Sequence, residues 1–177
     1  MIKDQDAYRG DKGRALTARY EGVDPAVLHK DVVSHFPAAP SAVLDIGAGS
    51  GRDAAWLAGK GYTVLAVEPS ETMRTEGARL HPDPRITWLG DRLPGLDGVF
   101  RLGVSFDLIF LSAVWQHVAP EDRPRAFRKM ITLLKPGGTL ILSLRLGPPD
   151  TSRGMHPVSV EEIVRLVQAH GAVVKAE

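Results

Sequence analysis

The sequence predicts an α/β fold, a three-layer αβα sandwich built on one mainly parallel sheet. Three observations predict it. From residue 41 onward, short and mainly apolar segments alternate with charged segments that have helical spacing. The apolar segments show no polar alternation, which is typical of strands buried between helices on both faces. Glycine or proline bounds most of these segments, as expected at the ends of helices and strands.

The length and composition indicate one domain. A chain of 177 residues with 44% hydrophobic residues is large enough to bury its own core. No internal repeat or low-complexity linker divides it. We therefore expect a single domain over residues 1–177, with N-terminal helices in 1–40 and the sheet in 41–177.

The expected elements follow from spacing and from capping residues. Asp24 followed by Pro25 predicts the start of a helix that reaches residue 35, after a first helix over 12–20. The expected strands are 42–46, 63–67, 86–89, 106–112 and 139–144. The helices expected around them are 52–60, 70–80, 120–135 and 159–170, with a turn at Pro136-Gly137-Gly138. A sixth strand is expected to begin at Ala172.

Composition excludes several classes of function. The 22 basic and 21 acidic residues give a net charge of +1, and no basic tract favours nucleic acid or an anionic membrane. Cysteine is absent, which excludes disulfides, thiolate nucleophiles and zinc–thiolate sites. No stretch reaches the roughly 18 apolar residues of a membrane span. We expect a cytoplasmic monomer or small homo-oligomer without a metal ion.

Three glycines follow the first strand at every second position, in the segment VLDIGAGSGRD (43–53). Parallel sheets bind ligands beyond the carboxyl ends of their strands, and glycine lets a ligand approach the main chain closely. The helix expected from Arg52 points free N–H groups at the same place. The G-x-G-x-G spacing lacks the third glycine of the dinucleotide pattern G-x-G-x-x-G and the Gly-Lys of a P-loop.

A carboxylate completes this arrangement. Glu68 ends the second strand, 21 residues after Gly47, where such folds place an acid that binds a ribose diol. Two adjacent hydroxyls can donate charge-assisted hydrogen bonds to one carboxylate. The loop after the first strand and the end of the second are therefore expected to form one ligand site.

At these residues the chain resembles the class I S-adenosylmethionine-dependent methyltransferases, which have a Rossmann-like sheet. The resemblance covers roughly residues 43–144 and includes five motifs in the order of the family. These motifs are VLDIGAGSGRDAAWLA, VLAVEPS, ITWLGDRLPGL, FDLIFLSAVWQHV and LLKPGGTLILSL. The resemblance implies S-adenosyl-L-methionine as the cofactor.

The resemblance also implies a set of cofactor contacts. Asp45 would contact the methionyl amino group, Glu68 the ribose hydroxyls and Asp91 the adenine amine. Arg52 and Tyr20 would meet the methionyl carboxylate. The full set of implied cofactor-binding residues is Tyr20, Asp45, Gly47, Ala48, Gly49, Gly51, Arg52, Asp53, Glu68, Pro69, Asp91, Arg92, Ser112 and Ala113.

Each assignment has a simpler alternative. Asp45 can cap the loop that follows it, and Glu68 can be a solvated acid in a turn. Asp91 belongs to a Gly-Asp pair that is common in turns. Arg52 and Asp53 can be ordinary first-turn charges of a helix, and Tyr20 can pack on its own helix. These alternatives stay open at the level of sequence.

The acceptor side is less defined. His117 follows the fourth strand and is the candidate general base, with a structural histidine as the alternative. Trp115 is expected as a wall of the acceptor pocket. Arg145, Arg153 and His156 give the loop after the fifth strand a basic rim. The fourth motif lacks the N-P-P-Y or D-P-P-Y string of nucleic-acid and glutamine amino methyltransferases, which favours a small-molecule acceptor.

Two alternatives accompany a methyltransferase. One is a non-catalytic S-adenosylmethionine- or S-adenosylhomocysteine-binding module, or truncated pseudoenzyme, that acts through a partner. The other, an NAD(P)-dependent reductase, is disfavoured by Arg52 at the position of a required glycine. The resemblance implies a final hairpin of sixth and seventh strands, but the sequence stops at Glu177, so we expect this hairpin to be truncated and the edge beside the fifth strand to be exposed.

Overall fold

The computed structural model describes Tyr8 and residues 10–175. Its sheet has five strands, all parallel, in the order β3-β2-β1-β4-β5. The strands are β1 (Ala42–Ile46), β2 (Thr63–Val67), β3 (Ile86–Leu89), β4 (Phe106–Leu111) and β5 (Leu134–Leu142). The strand order reverses between β1 and β4, and ligands of open α/β sheets bind at such a point.

Seven α-helices surround the sheet in the described part of the chain. They are α1 (Gly10–Glu21), α2 (Pro25–Leu28), α3 (Arg52–Gly59), α4 (Glu71–Leu80), α5 (Asp97–Arg101), α6 (Arg123–Leu133) and α7 (Val160–Ala169). Side-chain caps begin three of them: Asp24 accepts from Ala26 N, Ser70 from Met73 N, and Ser159 from Glu162 N. These caps were expected from the sequence. None of the helices among the described residues has both the length and the apolarity to cross a membrane.

Successive β1 side chains enter two different cores. Val43 packs with Leu57 of α3 and Phe110 on one face, while Leu44 packs with Trp115 and other side chains on the opposite face. Both valine and leucine are fully buried. A strand that is buried on both faces requires a layer of helices on each side, so the predicted three-layer sandwich is confirmed.

The predicted second helix is too long. It ends at Leu28 rather than residue 35, and a 3-10 turn follows at Val33–His35. His29 stops the helix because its side chain turns inward, between Phe110 and a buried carboxylate. A long-range contact of this kind overrides local helical spacing.

Two elements after β3 also differ from the prediction. The segment expected as a loop contains α5. The N–H groups of Gly98 and Val99 in its first turn donate to Asp91, which lies outside the helix. β5 begins at Leu134, five residues early, because the expected glycine turn is absorbed into the strand as an irregularity, with Gly137 at φ +78°. The predicted sixth strand is wrong over residues 172–175, which form no strand, and residue 176 lies outside the described residues.

Candidate active site

A cavity of about 410 Å³ lies beyond the carboxyl ends of the strands. Its volume falls within the roughly 300–1,000 Å³ of small-molecule sites. One wall comes from the loops after β1, β2 and β3 and from Ser112 and Ala113 directly after β4. The opposite wall comes from Tyr8, Tyr20 and His117 and from the segment after β5, which contributes Arg145, Arg153 and Met155. The place at which the sequence predicts a ligand site is therefore a cavity.

The three glycines all have positive φ, +72° at Gly47, +58° at Gly49 and +86° at Gly51, but they serve different neighbours. A Cβ at Gly47 would lie 2.5 Å from Val114 Cγ2, and one at Gly51 would lie 2.7 Å from the Trp88 ring. Only at Gly49 is there ordinary space, next to Tyr20. Gly47 and Gly49 line the cavity, whereas Gly51 does not. The missing side chain of Gly51 makes room for an indole, and its expected ligand contact stays a prediction.

Glu68 joins the ends of β1 and β2. Its Oε2 accepts from Gly49 N at 3.0 Å, and its Oε1 accepts from Ser70 N at 2.8 Å. Burial raises the pKa of Glu68, and these two N–H donors oppose that rise. Ala48 on one side and Pro69 on the other also line the cavity. The glycine loop and the carboxylate thus form one surface, as the spacing predicts.

Asp45 lies behind this surface rather than in the cavity lining. Its side chain is 1% exposed, and Oδ2 has no hydrogen-bond partner among the described residues. Burial raises the pKa of Asp45 well above its usual value, and the nearby Asp53 charge adds to the rise. A buried carboxylate oxygen normally has a donor. Oδ2 is therefore an acceptor that this part of the chain leaves without a donor.

Arg52 and Asp53, at the start of α3, are paired with each other. Arg52 Nε and Nη2 donate to the two Asp53 oxygens at 2.8 and 2.9 Å, and Nη1 donates to Tyr20 O at 3.3 Å. His29 Nε2 lies 3.2 Å from Asp53 Oδ1. Burial alone would raise the pKa of Asp53, but His29 and Arg52 together lower it. Both paired residues line the cavity, and Asp53 anchors the N-terminal helices to it.

Asp91 and Arg92 line the cavity after β3. The carboxylate of Asp91 already accepts three backbone N–H groups: Oδ1 from Arg92, and Oδ2 from Gly98 at 2.7 Å and Val99 at 3.0 Å. It is therefore a cap for α5 as well as a lining residue. A carboxylate has about four acceptor positions, so one remains for a ligand.

The loop after β4 contributes the next part of the lining. Ser112, Ala113 and His117 all line the cavity. Ala113 has φ +54°, and its N–H donates to Ser143 Oγ at 2.8 Å. This bond fixes an unusual backbone conformation for a residue other than glycine, and such strain is frequent at functional sites.

A chain of polar side chains closes the opposite wall. Tyr8 Oη lies 3.3 Å from His117 Nε2, and it accepts from Arg153 Nη2 at 2.8 Å. The same Nη2 donates to Tyr20 Oη at 3.1 Å. Burial raises the pKa of Tyr8, so its hydroxyl keeps its proton at neutral pH. Sequence reasoning did not select Tyr8, because a lone tyrosine in a polar segment carries no pattern.

Two expected acceptor residues do not reach the cavity. Trp115 is fully buried, packs edge-on against Phe127 and carries the Arg123 guanidinium over its ring, so its expected role as a pocket wall is wrong. The 3-10 turn at 115–117 rotates the indole into the core. His156 does not line the cavity, while its N–H donates to Gln116 O at 2.7 Å. Arg145 does line it and donates to Pro148 O.

No cluster of metal-ligating side chains occurs among Tyr8 and residues 10–175.

Comparison with known proteins places the chain in a family. The family described as "Methyltransferase domain" matches residues 43–138, just over half of the chain. Demethylmenaquinone methyltransferase from Beutenbergia cavernae is 35% identical over 109 residues, which is 60% of this chain and 42% of that protein. The chain spans about half the length of the curated relatives it matches, between 42% and 55%.

Solved structures show the same fold. Phosphoethanolamine N-methyltransferase 2 from Haemonchus contortus, in complex with S-adenosyl-L-methionine, superposes with a TM-score of 0.74 at 22% identity, covering 97% of this chain and 44% of that one. A putative methyltransferase from Haloferax volcanii, in complex with the activator Trm112, has a TM-score of 0.74 at 21% identity, covering 99% and 80%. The chain therefore belongs to the methyltransferase domain family and has the fold of the class I S-adenosylmethionine-dependent methyltransferases.

Proposed function

We propose that this chain binds S-adenosyl-L-methionine and transfers its methyl group to a small-molecule acceptor. One observation carries the proposal: the glycine loop after β1 and the carboxylate after β2 meet through the Gly49–Glu68 hydrogen bond at a cavity of about 410 Å³. Family membership and cofactor-bound structural neighbours support it. The acceptors of those neighbours are varied, so they leave the acceptor of this chain open.

The residues present fit this cofactor. Glu68 uses one acceptor position of each oxygen on backbone N–H groups, which leaves positions for two ribose hydroxyls. Asp45 Oδ2, buried without a donor, is suited to the methionyl ammonium, directly or through water. Arg52 and the start of α3 are suited to the methionyl carboxylate. Asp91 retains one acceptor position for the adenine amine.

When bound, the cofactor supplies an activated methyl group on a sulfonium. The chain's own residues have to align the acceptor, exclude water and, for an acceptor that arrives protonated, accept its proton. The backbone of Ser112 and Ala113 borders the cavity where the acceptor is expected to approach. His117, with Tyr8 Oη at 3.3 Å, is the candidate base.

Calorimetry tests cofactor binding. We expect the protein to bind S-adenosylmethionine and S-adenosylhomocysteine and not NADH. Glu68→Ala should weaken both by about 10- to 100-fold, because two charge-assisted hydrogen bonds are lost. Glu121→Ala is a matched control on an exposed glutamate outside the cavity. Tight NADH binding, or equal affinities in the two variants, would contradict the proposal.

Turnover tests the enzyme against a binding module. S-adenosylhomocysteine production is measured with a panel of small amines, phenols and carboxylic acids. A protein that binds the cofactor but turns over with none of them would favour the non-catalytic module. For an acceptor that loses a proton, an unaltered pH–rate profile in His117→Ala would remove the histidine from the mechanism.

A further inference from the structure

The Arg153 guanidinium is held in the cavity wall by two tyrosines from the N-terminal segment. Its Nη2 donates to Tyr8 Oη at 2.8 Å and to Tyr20 Oη at 3.1 Å, and its Cζ lies 5.6 Å from the centre of the Tyr8 ring. These contacts join residues 145 and 133 positions apart in the chain. The side chain is thus fixed at the cavity although it belongs to an irregular segment.

The charge of this guanidinium is not matched by an acid. Among the described residues, no carboxylate lies within 4.0 Å of Arg153, whereas Arg52 is paired with Asp53 at 2.8 Å. Asp150 is near enough for Arg153 to lower its pKa, but its Oδ1 accepts from Ser152. A half-buried cation whose hydrogen-bond acceptors are both neutral retains a strong preference for an anion.

Arg153 also retains unused donors. In the described part of the chain only Nη2 has acceptors, and Nε is buried without one. A buried donor without an acceptor is costly, and for a charged group the cost is greater. A planar guanidinium is the side chain best matched to a carboxylate or phosphate, because it can donate two parallel hydrogen bonds.

We propose that Arg153, held by Tyr8 and Tyr20, binds an anionic group of the methyl acceptor, either a carboxylate or a phosphate. This inference rests on the proposed function, in which Arg52 and the start of α3 serve the carboxylate of the cofactor. Arg153 shares Tyr8 with His117, the candidate base. An anion on Arg153 would therefore place the rest of the acceptor near this candidate base.

The arrangement also selects against neutral acceptors. An analogue without the anionic group leaves the Arg153 donors unsatisfied in the cavity wall, and such a loss discriminates more strongly than a missing methylene does. The acceptor class is thus defined by charge rather than by the shape of an apolar pocket.

The test uses the protein saturated with S-adenosylhomocysteine, whose binding is first measured by calorimetry. Inorganic phosphate and sodium benzoate are then titrated separately, and the arginine Nε–H signals are followed by NMR. The Arg153 signal is identified by its loss in Arg153→Lys. We expect phosphate, benzoate or both to shift it, and the responding anion identifies the phosphate or carboxylate class.

Variants make the result specific. Arg153→Gln should weaken anion binding about tenfold or more, because a charge-assisted pair is lost. Arg153→Lys should retain part of it, since the charge remains. Arg125→Gln removes an exposed arginine outside the cavity and should leave anion binding unchanged. Unchanged S-adenosylhomocysteine affinity in Arg153→Gln shows that the cavity is intact.

Three results would overturn the inference. The first is that neither anion shifts the Arg153 signal at tens of millimolar. The second is that both anions bind equally well to the wild type and to Arg153→Gln. The third is that the anions bind only in the absence of S-adenosylhomocysteine and compete with it, which would assign Arg153 to the carboxylate of the cofactor. If S-adenosylhomocysteine itself does not bind, the initial calorimetry shows it, and that result contradicts the proposed function rather than this inference.

Discussion

The two walls of the cavity are built in different ways. The β1–β2 wall is made of backbone and one carboxylate, joined by the Gly49 and Ser70 N–H groups, and its contacts are local to neighbouring strands. The opposite wall is made of side chains, Tyr8, Tyr20, Arg153 and His117, from segments far apart in sequence. A wall of backbone tolerates few substitutions, whereas a wall of side chains can change its specificity while the fold remains.

The largest effect is expected in the backbone wall, from Gly51→Ala. The new Cβ would lie 2.7 Å from the Trp88 ring at a φ of +86°, so the loop or the indole has to move. We expect a loss of about 2–4 kcal/mol in the free energy of unfolding and loss of cofactor binding. Denaturant unfolding and calorimetry measure the two effects.

Gly59→Ala is the control for this substitution. Gly59 lies at the end of α3, and a Cβ there would meet nothing within 4 Å. If Gly51→Ala were as stable as Gly59→Ala and bound cofactor normally, the backbone wall would tolerate substitution and would not differ from the side-chain wall in this respect.

An intermediate effect, opposite in sign, is expected from Asp45→Asn. The raised pKa of Asp45 means that, between the unfolded and the folded pKa, the ligand-free folded protein holds a proton that the unfolded chain releases. Stability from this group is therefore present below the unfolded pKa and is lost as pH rises through the folded pKa. Asparagine removes that loss, so we expect stability at pH 8 to rise by roughly 1–2 kcal/mol. In the wild type, a bound ammonium group would instead favour the ionised carboxylate.

The same variant should bind S-adenosylmethionine more weakly, since an amide attracts the methionyl ammonium less than a carboxylate does. The check is the difference in unfolding free energy between wild type and Asp45→Asn across pH, together with calorimetry. A constant difference from pH 4 to pH 8 would show that Asp45 has no raised pKa in the folded state.

The smallest effect is expected in the side-chain wall, from Tyr20→Phe. It removes one hydrogen bond to Arg153, while the ring stays against Gly49 and Tyr8 still holds the guanidinium. We expect a change of less than about 1 kcal/mol in stability and a cofactor affinity within a few fold of wild type. A large loss of stability or of cofactor affinity in Tyr20→Phe would mean that the two walls are not independent.

The contrast between the walls also explains what the sequence predicts well. The bounds of β1, β2 and β3 and the caps at Ser70 and Ser159 depend on local pattern, and all are confirmed. The pairing of the glycine loop with Glu68 depends on strand spacing and is likewise found. These are properties of neighbouring residues along the chain or of adjacent strands.

The features that the sequence did not predict depend on contacts between residues far apart in the chain. α5 is capped by a carboxylate outside its own segment, α2 is cut short by a buried histidine, and β5 absorbs a glycine pair by pairing irregularly with β4. Trp115 faces the core because of a single 3-10 turn. Tyr8 meets a histidine 109 positions away. No local spacing encodes such contacts.

The position of Trp88 has a consequence for how a ligand meets the glycine loop. Its ring lies between Gly51 and Gly77, where added Cβ atoms would come within 2.7 and 2.4 Å of it, and it supports the loop from behind. A rigid aromatic support means that the loop is already shaped before a ligand arrives. The entropy cost of ordering the loop is thus met during folding and not on binding. In a variant whose other two tryptophans, Trp56 and Trp115, are replaced, the fluorescence of Trp88 would report whether that shape persists on binding.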